Sequence, residues 1–328
     1  MKILVTGATG FVGAAVVRKL LAAGHQVRAI VRAQSDRRNV LDLPIELVSG
    51  SLEDEASLIR AVRGCKGLFH VAADYRLWVP NPKSMYQTNV VGTGLLMEAA
   101  MQAGVERIVY TSSVATLGNA GAGTPANEGT PVTELDMIGP YKHSKYLAEK
   151  MVQELATEKR LPVVIVNPST PIGPRDLRPT PTGRIVVDTA RKRIPAYVDT
   201  GLNVVHVDDV AEGHLLAFDK GVLGERYILG GDNLELSELL RLVAEVAEFP
   251  PPTIKLPREA LMPLAHVLEF IARVTGIEPM FTTDSLRMAA KKMFFSSAKA
   301  ERELGYTHRP AQAAVSDAYQ WFKKHGYC

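Results

Sequence analysis

The sequence predicts an α/β fold, a doubly wound parallel sheet followed by a smaller, mostly helical C-terminal lobe, and three observations carry that expectation. Short apolar runs alternate with amphipathic stretches through the first half. A glycine-rich turn, "TGATGFVG", joins the first run to the first helical pattern. After Pro168 the texture changes to a proline-rich loop, "NPSTPIGPRDLRPTPTGR", and then to mostly helical periodicity.

Taken in order, "KILVTG" reads as the first strand and "GFVGAAVVRKLLAAG" as the first helix, with "QVRAIVR" and "IELVSG" as the second and third strands. "DEASLIRAVRG" is the next helix, "GLFHVAA" a fourth strand, Lys83 to Ala103 a long helix, and "RIVYTSS" a fifth strand. A helix from about Tyr141 to Lys159 and the strand "PVVIVNP" bring the pattern to about six βα units. Strands that are apolar on both faces belong to a parallel sheet covered on both sides, because each crossover helix buries its own apolar stripe against it. Residues 1–168 are expected to form this domain, with a strand and helix near 203–219 returning to it. Residues 169–328 are expected to form mainly a substrate-binding lobe.

Composition narrows the function. A chain of 328 residues buries a full core without staples. Cys65 and Cys328 have neither disulfide-framework nor zinc-site spacing, which favours a reducing, cytoplasmic setting and no metal. The apolar start is too short for a signal-peptide core, and charges interrupt every later stretch before the ~18 residues a membrane span needs. The 38 basic and 35 acidic residues are mixed along the chain, so no nucleic-acid partner is expected.

Glycines in a βα turn either close a corner or let a pyrophosphate approach the N–H groups of the following helix. Here Gly7, Gly10 and Gly13, interleaved with Thr9, Phe11 and Val12, depart from the general GxGxxG spacing. Both readings fit the residues, and the position between a first strand and a helix favours the phosphate.

The spacing resembles that of the extended short-chain dehydrogenase/reductase family, whose members carry a Tyr-x-x-x-Lys pair after the fifth strand of a Rossmann-type sheet. Three such pairs occur: Tyr141 with Lys145, Tyr146 with Lys150, and Tyr319 with Lys323. Only Tyr141 stands at a helix start, after Gly139 and Pro140 and downstream of Thr111, Ser112 and Ser113. Residues four apart share a helix face, so Lys145 can favour the phenolate of a phenol whose ordinary pKa is about 10. By resemblance Ser113 holds the substrate oxygen, with Ser112 as its competitor.

Further matches are "HVAA" from His70, "NVVGT" around Asn89, "NPSTPIGP" from Asn167 and "HVDDV" from His206. The resemblance implies a dinucleotide lined by the glycine-rich turn, by Val71, Ala72 and Ala73, by Thr111, Tyr141 and Lys145, and by Pro168, Ser169 and Thr170. It also implies that Asn89 braces the sheet. His206 and Asp209 read as strand-end and helix-cap residues. Ser51 and Leu52 stand where the family usually has Asp-Leu at the adenine.

Arg32 occupies the end of the second strand, where NAD enzymes commonly place an acid, and Arg37 and Arg38 follow. Cations there suit a 2′-phosphate and predict NADP as cofactor; surface arginines without a ligand are the alternative. The whole chain is similar to the bacterial hopanoid-associated sugar epimerases, themselves similar to dihydroflavonol 4-reductase. Nucleotide-sugar epimerases usually carry an Arg-Asp before the "HV-x-D" strand and a later Arg-x-Gly-Asp. This chain has Leu202-Asn203 there, and no Arg-x-Gly-Asp in its last third.

The resulting expectation is an NADP(H)-dependent oxidoreductase acting on a small-molecule carbonyl or alcohol. A nucleotide-sugar epimerase or dehydratase linked to hopanoid biosynthesis is the alternative, and a non-enzymatic NADP sensor is a third reading. Tyr75, Trp78, Arg175 and Arg184 join Ser113 as substrate candidates. The apolar stretch "EALMPLAHVLEFIARV" fits a pocket wall, a lobe core or a homodimer contact.

Overall fold

The computed structural model describes residues 1–121, 123–277 and 279–328. The first half builds β1 (Lys2–Thr6), α1 (Phe11–Ala22), β2 (Gln26–Val31), β3 (Glu46–Ser49), α2 (Glu55–Val62) and β4 (Gly67–His70). The long helix expected after β4 is divided into α3 (Lys83–Tyr86), a π-helical turn (Gln87–Val91) and α4 (Gly92–Gln102). Then come β5 (Arg107–Thr111), α5 (Gly139–Glu158), β6 (Val163–Pro168), β7 (Thr170–Ile172), α6 (Pro181–Ala190), β8 (Ala196–Val198) and β9 (Gly201–His206). The chain continues through α7 (Val207–Lys220), β10 (Arg226–Leu229), β11 (Asp232–Glu235), α8 (Leu236–Val246) and β12 (Ile254–Leu256). It ends with α9 (Arg258–Thr275), α10 (Thr283–Ala289), α11 (Ala298–Leu304) and α12 (Ala311–Lys324).

Among the described residues the central sheet has seven parallel strands in the order β10-β6-β5-β4-β1-β2-β3. From β1 the chain steps outward to β2 and β3, then returns to β4 on the other side. A crevice therefore opens at the carboxyl ends of β1 and β4, the place where open α/β sheets bind ligands. One core packs Ile3 and Val5 with α1 and α7, through residues such as Val16, Leu20, Val210 and Phe218. The opposite face packs Leu4 and Leu68 with α2, α4 and α5, through Leu58, Leu96 and Val152. The alternation of faces along β1 is what makes its sequence apolar throughout.

The return expected near 203–219 divides between two sheets. Helix α7 does come back to the first core. Strand β9 instead pairs with β7 and β11 in a three-stranded sheet, and β10 is the strand that extends the central sheet beside β6. A third core packs α6, α8 and α12 through Val186, Leu239, Val315 and Phe322.

Helix α9, the apolar stretch noted in the sequence, packs little of itself away: its buried residues are Ala265 and Ala272, while Leu264, Val267, Phe270, Ile271 and Val274 are exposed. A left-handed glycine, Gly276, ends it. Among the described residues no helix is long and apolar enough to cross a membrane, and no acidic, His or Cys cluster has the makings of a metal site.

Candidate functional site

The glycine-rich turn lies in the crevice between β1 and β4. Gly7 has φ of +69°, and a Cβ there would lie 2.7 Å from the Ala72 nitrogen, so a side chain is excluded twice over. At Gly13 a Cβ would fall 2.1 Å from the Gly7 carbonyl oxygen, which lets α1 sit directly on the turn. Gly10 differs. It is exposed, its backbone is ordinary extended at φ −79°, and a Cβ would meet only the Gly7 oxygen at 3.3 Å. Gly10 also caps α1 without a side-chain bond, and the first turn of that helix carries no acid, so the N–H groups of Phe11, Val12 and Gly13 carry positive partial charge with no side-chain cap.

The fourth-strand loop closes the other side. Ala72 donates its N–H to Thr6 Oγ1 at 3.1 Å, and Thr6 Oγ1 is 2.7 Å from His70 Nδ1. Burial, helped by the Lys145 charge, holds the His70 pKa down to about 3, so the ring is neutral. Asn89 accepts the Asp74 N–H at 2.7 Å and donates to the Asp74 carbonyl at 2.9 Å and to Ser144 Oγ at 3.0 Å. It thus ties the loop after Val71, Ala72 and Ala73 to α5 rather than bracing strands.

Arg32 directly follows β2 and is exposed, as is Arg37, whereas Arg38 is paired with Asp36 at 2.6 Å. The same loop is fastened to the glycine-rich turn by Asn39, a buried residue whose Nδ2 donates to Thr9 O at 3.3 Å and to Arg175 O at 3.1 Å. After β3, Ser51 Oγ accepts the Glu53 N–H at 3.3 Å, and Leu52 is buried against Gly92.

Tyr141 sits on the first turn of α5, where extended Ile138 and Pro140 start the helix. Burial raises its phenol pKa, and a hydrogen bond from the Ser113 side chain works the other way. Ser113 Oγ accepts the Ala115 N–H at 3.1 Å, while Ser112 is buried with its Oγ unpartnered among the described residues. Lys145 is buried, and its Nζ donates to Thr111 O at 2.8 Å and to Tyr110 Oη at 3.2 Å rather than to Tyr141. Burial lowers its pKa to about 8, with Glu149 opposing. The Thr111 hydroxyl points the other way, 2.9 Å from His214 Nε2. Of the rival tyrosines, Tyr319 belongs to the core of α6, α8 and α12 with Lys323 over its ring at 5.5 Å, and Tyr146 is partly buried further along α5.

The substrate candidates separate. Tyr75 is exposed, yet its phenol is raised by partial burial and by Asp176 and pulled back by Arg178 and Arg184, so these four share one neighbourhood. Trp78 is partly buried in the same loop as Tyr75. Arg175 faces away, bonded to Asp208 at 2.6 Å and joined by its carbonyl to Asn39 and the glycine-rich turn. Pro168 ends β6 and Thr170 begins β7; between them Ser169 Oγ is buried with no partner among the described residues.

The model of the NAD dependent epimerase/dehydratase family matches residues 3–230. The chain belongs to this family. A Synechocystis protein with a provisional dihydroflavonol 4-reductase name is 45% identical over 98% of this chain and 95% of its own length. The crystal structure of gox2253 is 57% identical, with a TM-score of 0.90 over 99% of this chain and 98% of that one. A Pseudomonas aeruginosa structure described as a nucleoside-diphosphate-sugar epimerase is 29% identical, with a TM-score of 0.81 over 100% and 99%.

Family members use a nicotinamide dinucleotide, and two features of this chain fit one: the open approach at Gly10 and the orphaned Ser169 hydroxyl just after β6. Sequence reasoning missed Asn39, Tyr110, Glu149 and the Asn167 side chain. Only Glu149 left a local signal, one helical turn beyond Lys145 on the same face of α5.

Proposed function

We propose that this family member is an NADP(H)-dependent reductase of a carbonyl substrate. The observation that carries the reading is the buried Lys145 ammonium, one turn beyond Tyr141 on α5 and seated on Thr111 O at the end of β5, two residues before Ser113. In the reductive direction Ser113 holds the substrate oxygen by hydrogen bond and Tyr141 gives it a proton. The resulting phenolate is favoured by the positive charge of Lys145, acting through space from its seat on Thr111 O and Tyr110. When bound, the nicotinamide supplies the hydride. Gly7, Gly10 and Gly13 with the first N–H groups of α1 take the pyrophosphate, Ser51 and Leu52 border the adenine, Arg32 and Arg37 take the 2′-phosphate, and Pro168 to Thr170 border the nicotinamide.

The likeness to a nucleoside-diphosphate-sugar epimerase favours a second reading. Against it, Asn203 stands where such epimerases carry an anchoring acid next to an arginine. Its amide is buried and committed to Gly231 O at 2.8 Å and Asn233 Oδ1 at 2.8 Å, so it is a structural residue. A reductase consumes NADPH in proportion to alcohol formed, whereas an epimerase returns the hydride it takes. Purified protein given aldehydes, ketones and UDP-sugars, with NADPH absorbance and sugar configuration followed together, separates them. Interconversion of a UDP-sugar without net loss of NADPH would overturn the reductase.

A further inference from the structure

Glu149 lies one turn beyond Lys145 and two beyond Tyr141 on α5, and its carboxylate is buried. Oε2 accepts from Asn167 Nδ2 at 2.8 Å and lies 2.7 Å from Thr116 Oγ1. Both partners also reach the Ser113 carbonyl, Asn167 Nδ2 at 3.0 Å and Thr116 Oγ1 at 2.8 Å. The Asn167 amide is turned with its NH2 toward this carboxylate although that leaves Asn167 Oδ1 buried and without a partner among the described residues. A carboxylate and a carbonyl accept only, so together they impose that orientation. Oε1 is paired with Arg226 of the edge strand β10 at 2.9 Å, and the same guanidinium bonds the Glu128 carbonyl.

We infer that Glu149 is a positioning residue for the reaction: its carboxylate fixes Ser113 through the two N–H groups of the Asn167 amide, and supplies the negative charge one turn from the Lys145 ammonium. The inference rests on the catalytic reading of Ser113, Tyr141 and Lys145 proposed above. Besides the hydrogen-bond partners already named, three ionisable groups act on this pair of buried charges: Tyr110 from β5, His70 from β4 and Arg226 from β10. His70 is neutral and the Tyr110 phenol is pushed well above its ordinary range by burial, so Glu149 is the negative charge among them.

The test compares Glu149→Gln with the charge-balanced double variant Glu149→Gln/Arg226→Gln. A glutamine offers one acceptor where the carboxylate offers two, so Asn167 is free to turn and the Ser113 carbonyl loses its brace. We expect kcat, measured by NADPH oxidation with the carbonyl compound turned over fastest in the screen above, to fall roughly 10- to 100-fold in both variants. Removing both charges avoids leaving an unpaired ion, so the double variant should recover the thermal stability lost by Glu149→Gln without recovering kcat. Independently of activity, the Lys145 Nζ titration in 15N-lysine-labelled protein should move to lower pH in both variants. A folded double variant with wild-type kcat and an unmoved Lys145 titration would leave Glu149 a structural ion-pair partner and overturn the inference. Tyr141→Phe, assayed alongside, keeps the two claims apart: if it retains activity the catalytic reading fails. If it is inactive while Glu149→Gln runs at full speed, only the positioning role fails.

Discussion

Gly10 and Gly13 allow the roles of the opening turn to be separated by two single methyl groups. In Gly13→Ala the new Cβ would lie 2.1 Å from the Gly7 carbonyl oxygen and 2.7 Å from its carbon, contacts that only a displaced turn can relieve. The cost is that of overpacking, about 1–3 kcal/mol or more, and appears as lost thermal stability. In Gly10→Ala the nearest atom is 3.3 Å away and the backbone, at φ −79° and ψ 176°, is one alanine adopts freely. Loss of a good N-cap and gain of chain stiffness nearly offset, so stability should change by less than about 1 kcal/mol. The same methyl group stands where a pyrophosphate must approach the N–H groups of Phe11 and Val12. Losing one charge-assisted hydrogen bond is worth roughly 1.5–3 kcal/mol, a 10- to 100-fold weaker Kd for NADPH by about 1.4 kcal/mol per decade. Calorimetric titration with NADPH and thermal unfolding of both variants make the measurement. If Gly10→Ala binds NADPH as tightly as the wild type, the turn serves packing alone and the phosphate-cradle reasoning is refuted.

Arg32→Ala should weaken NADPH by roughly 10- to 100-fold and leave NADH unchanged, since it removes a charge-assisted contact to the 2′-phosphate only. Equal affinity of the wild type for the two cofactors would refute the selectivity. Tyr141→Phe should bind NADPH normally and lose about two to four orders of magnitude in turnover, whereas Tyr319→Phe, in the core of α6, α8 and α12, should keep it. Asp176 is buried and its carboxyl is pushed up to about 6 by that burial, with Thr180 bonds and Arg184 opposing. Because its folded pKa exceeds the unfolded one, its stabilising contribution is complete below about pH 4 and is lost as pH rises through 6. Asp176→Asn should therefore gain on the wild type by up to about 3 kcal/mol between those limits in pH-dependent thermal unfolding, at 1.36 kcal/mol per unit. A constant difference across that range would refute the burial of this charge.

The elements that carry the site were readable because their signals are local. An apolar run, a glycine-rich turn and a helical pattern follow one another within residues 2–22, and Tyr141 and Lys145 share a face by helical period alone. The structure set Ser113 Oγ on the Ala115 N–H and left the buried Ser112 Oγ unpartnered, a difference of strand-end geometry that two adjacent serines do not announce. The break of the long helix before Gly92 at Asn89 was equally silent, because it answers to contacts with Asp74 and Ser144 far along the chain.

By itself, then, the sequence determined the alternation of strands and helices, the loop that opens the crevice, the cations after β2 and the helix bearing Tyr141 and Lys145, all of them patterns written within a few turns of chain. Only the tertiary structure decided that β10 rather than β9 extends the central sheet, that Arg175 serves Asp208 and not the Tyr75 neighbourhood, and that Lys145 rests on Tyr110 and Thr111. It alone joined Ser113, Asn167, Glu149 and Arg226, residues from β10, α5 and the ends of β5 and β6. The physical reason is that a buried polar group must find a partner wherever the fold supplies one. Those partners are separated by tens of residues, so no window of sequence contains both ends of the bond.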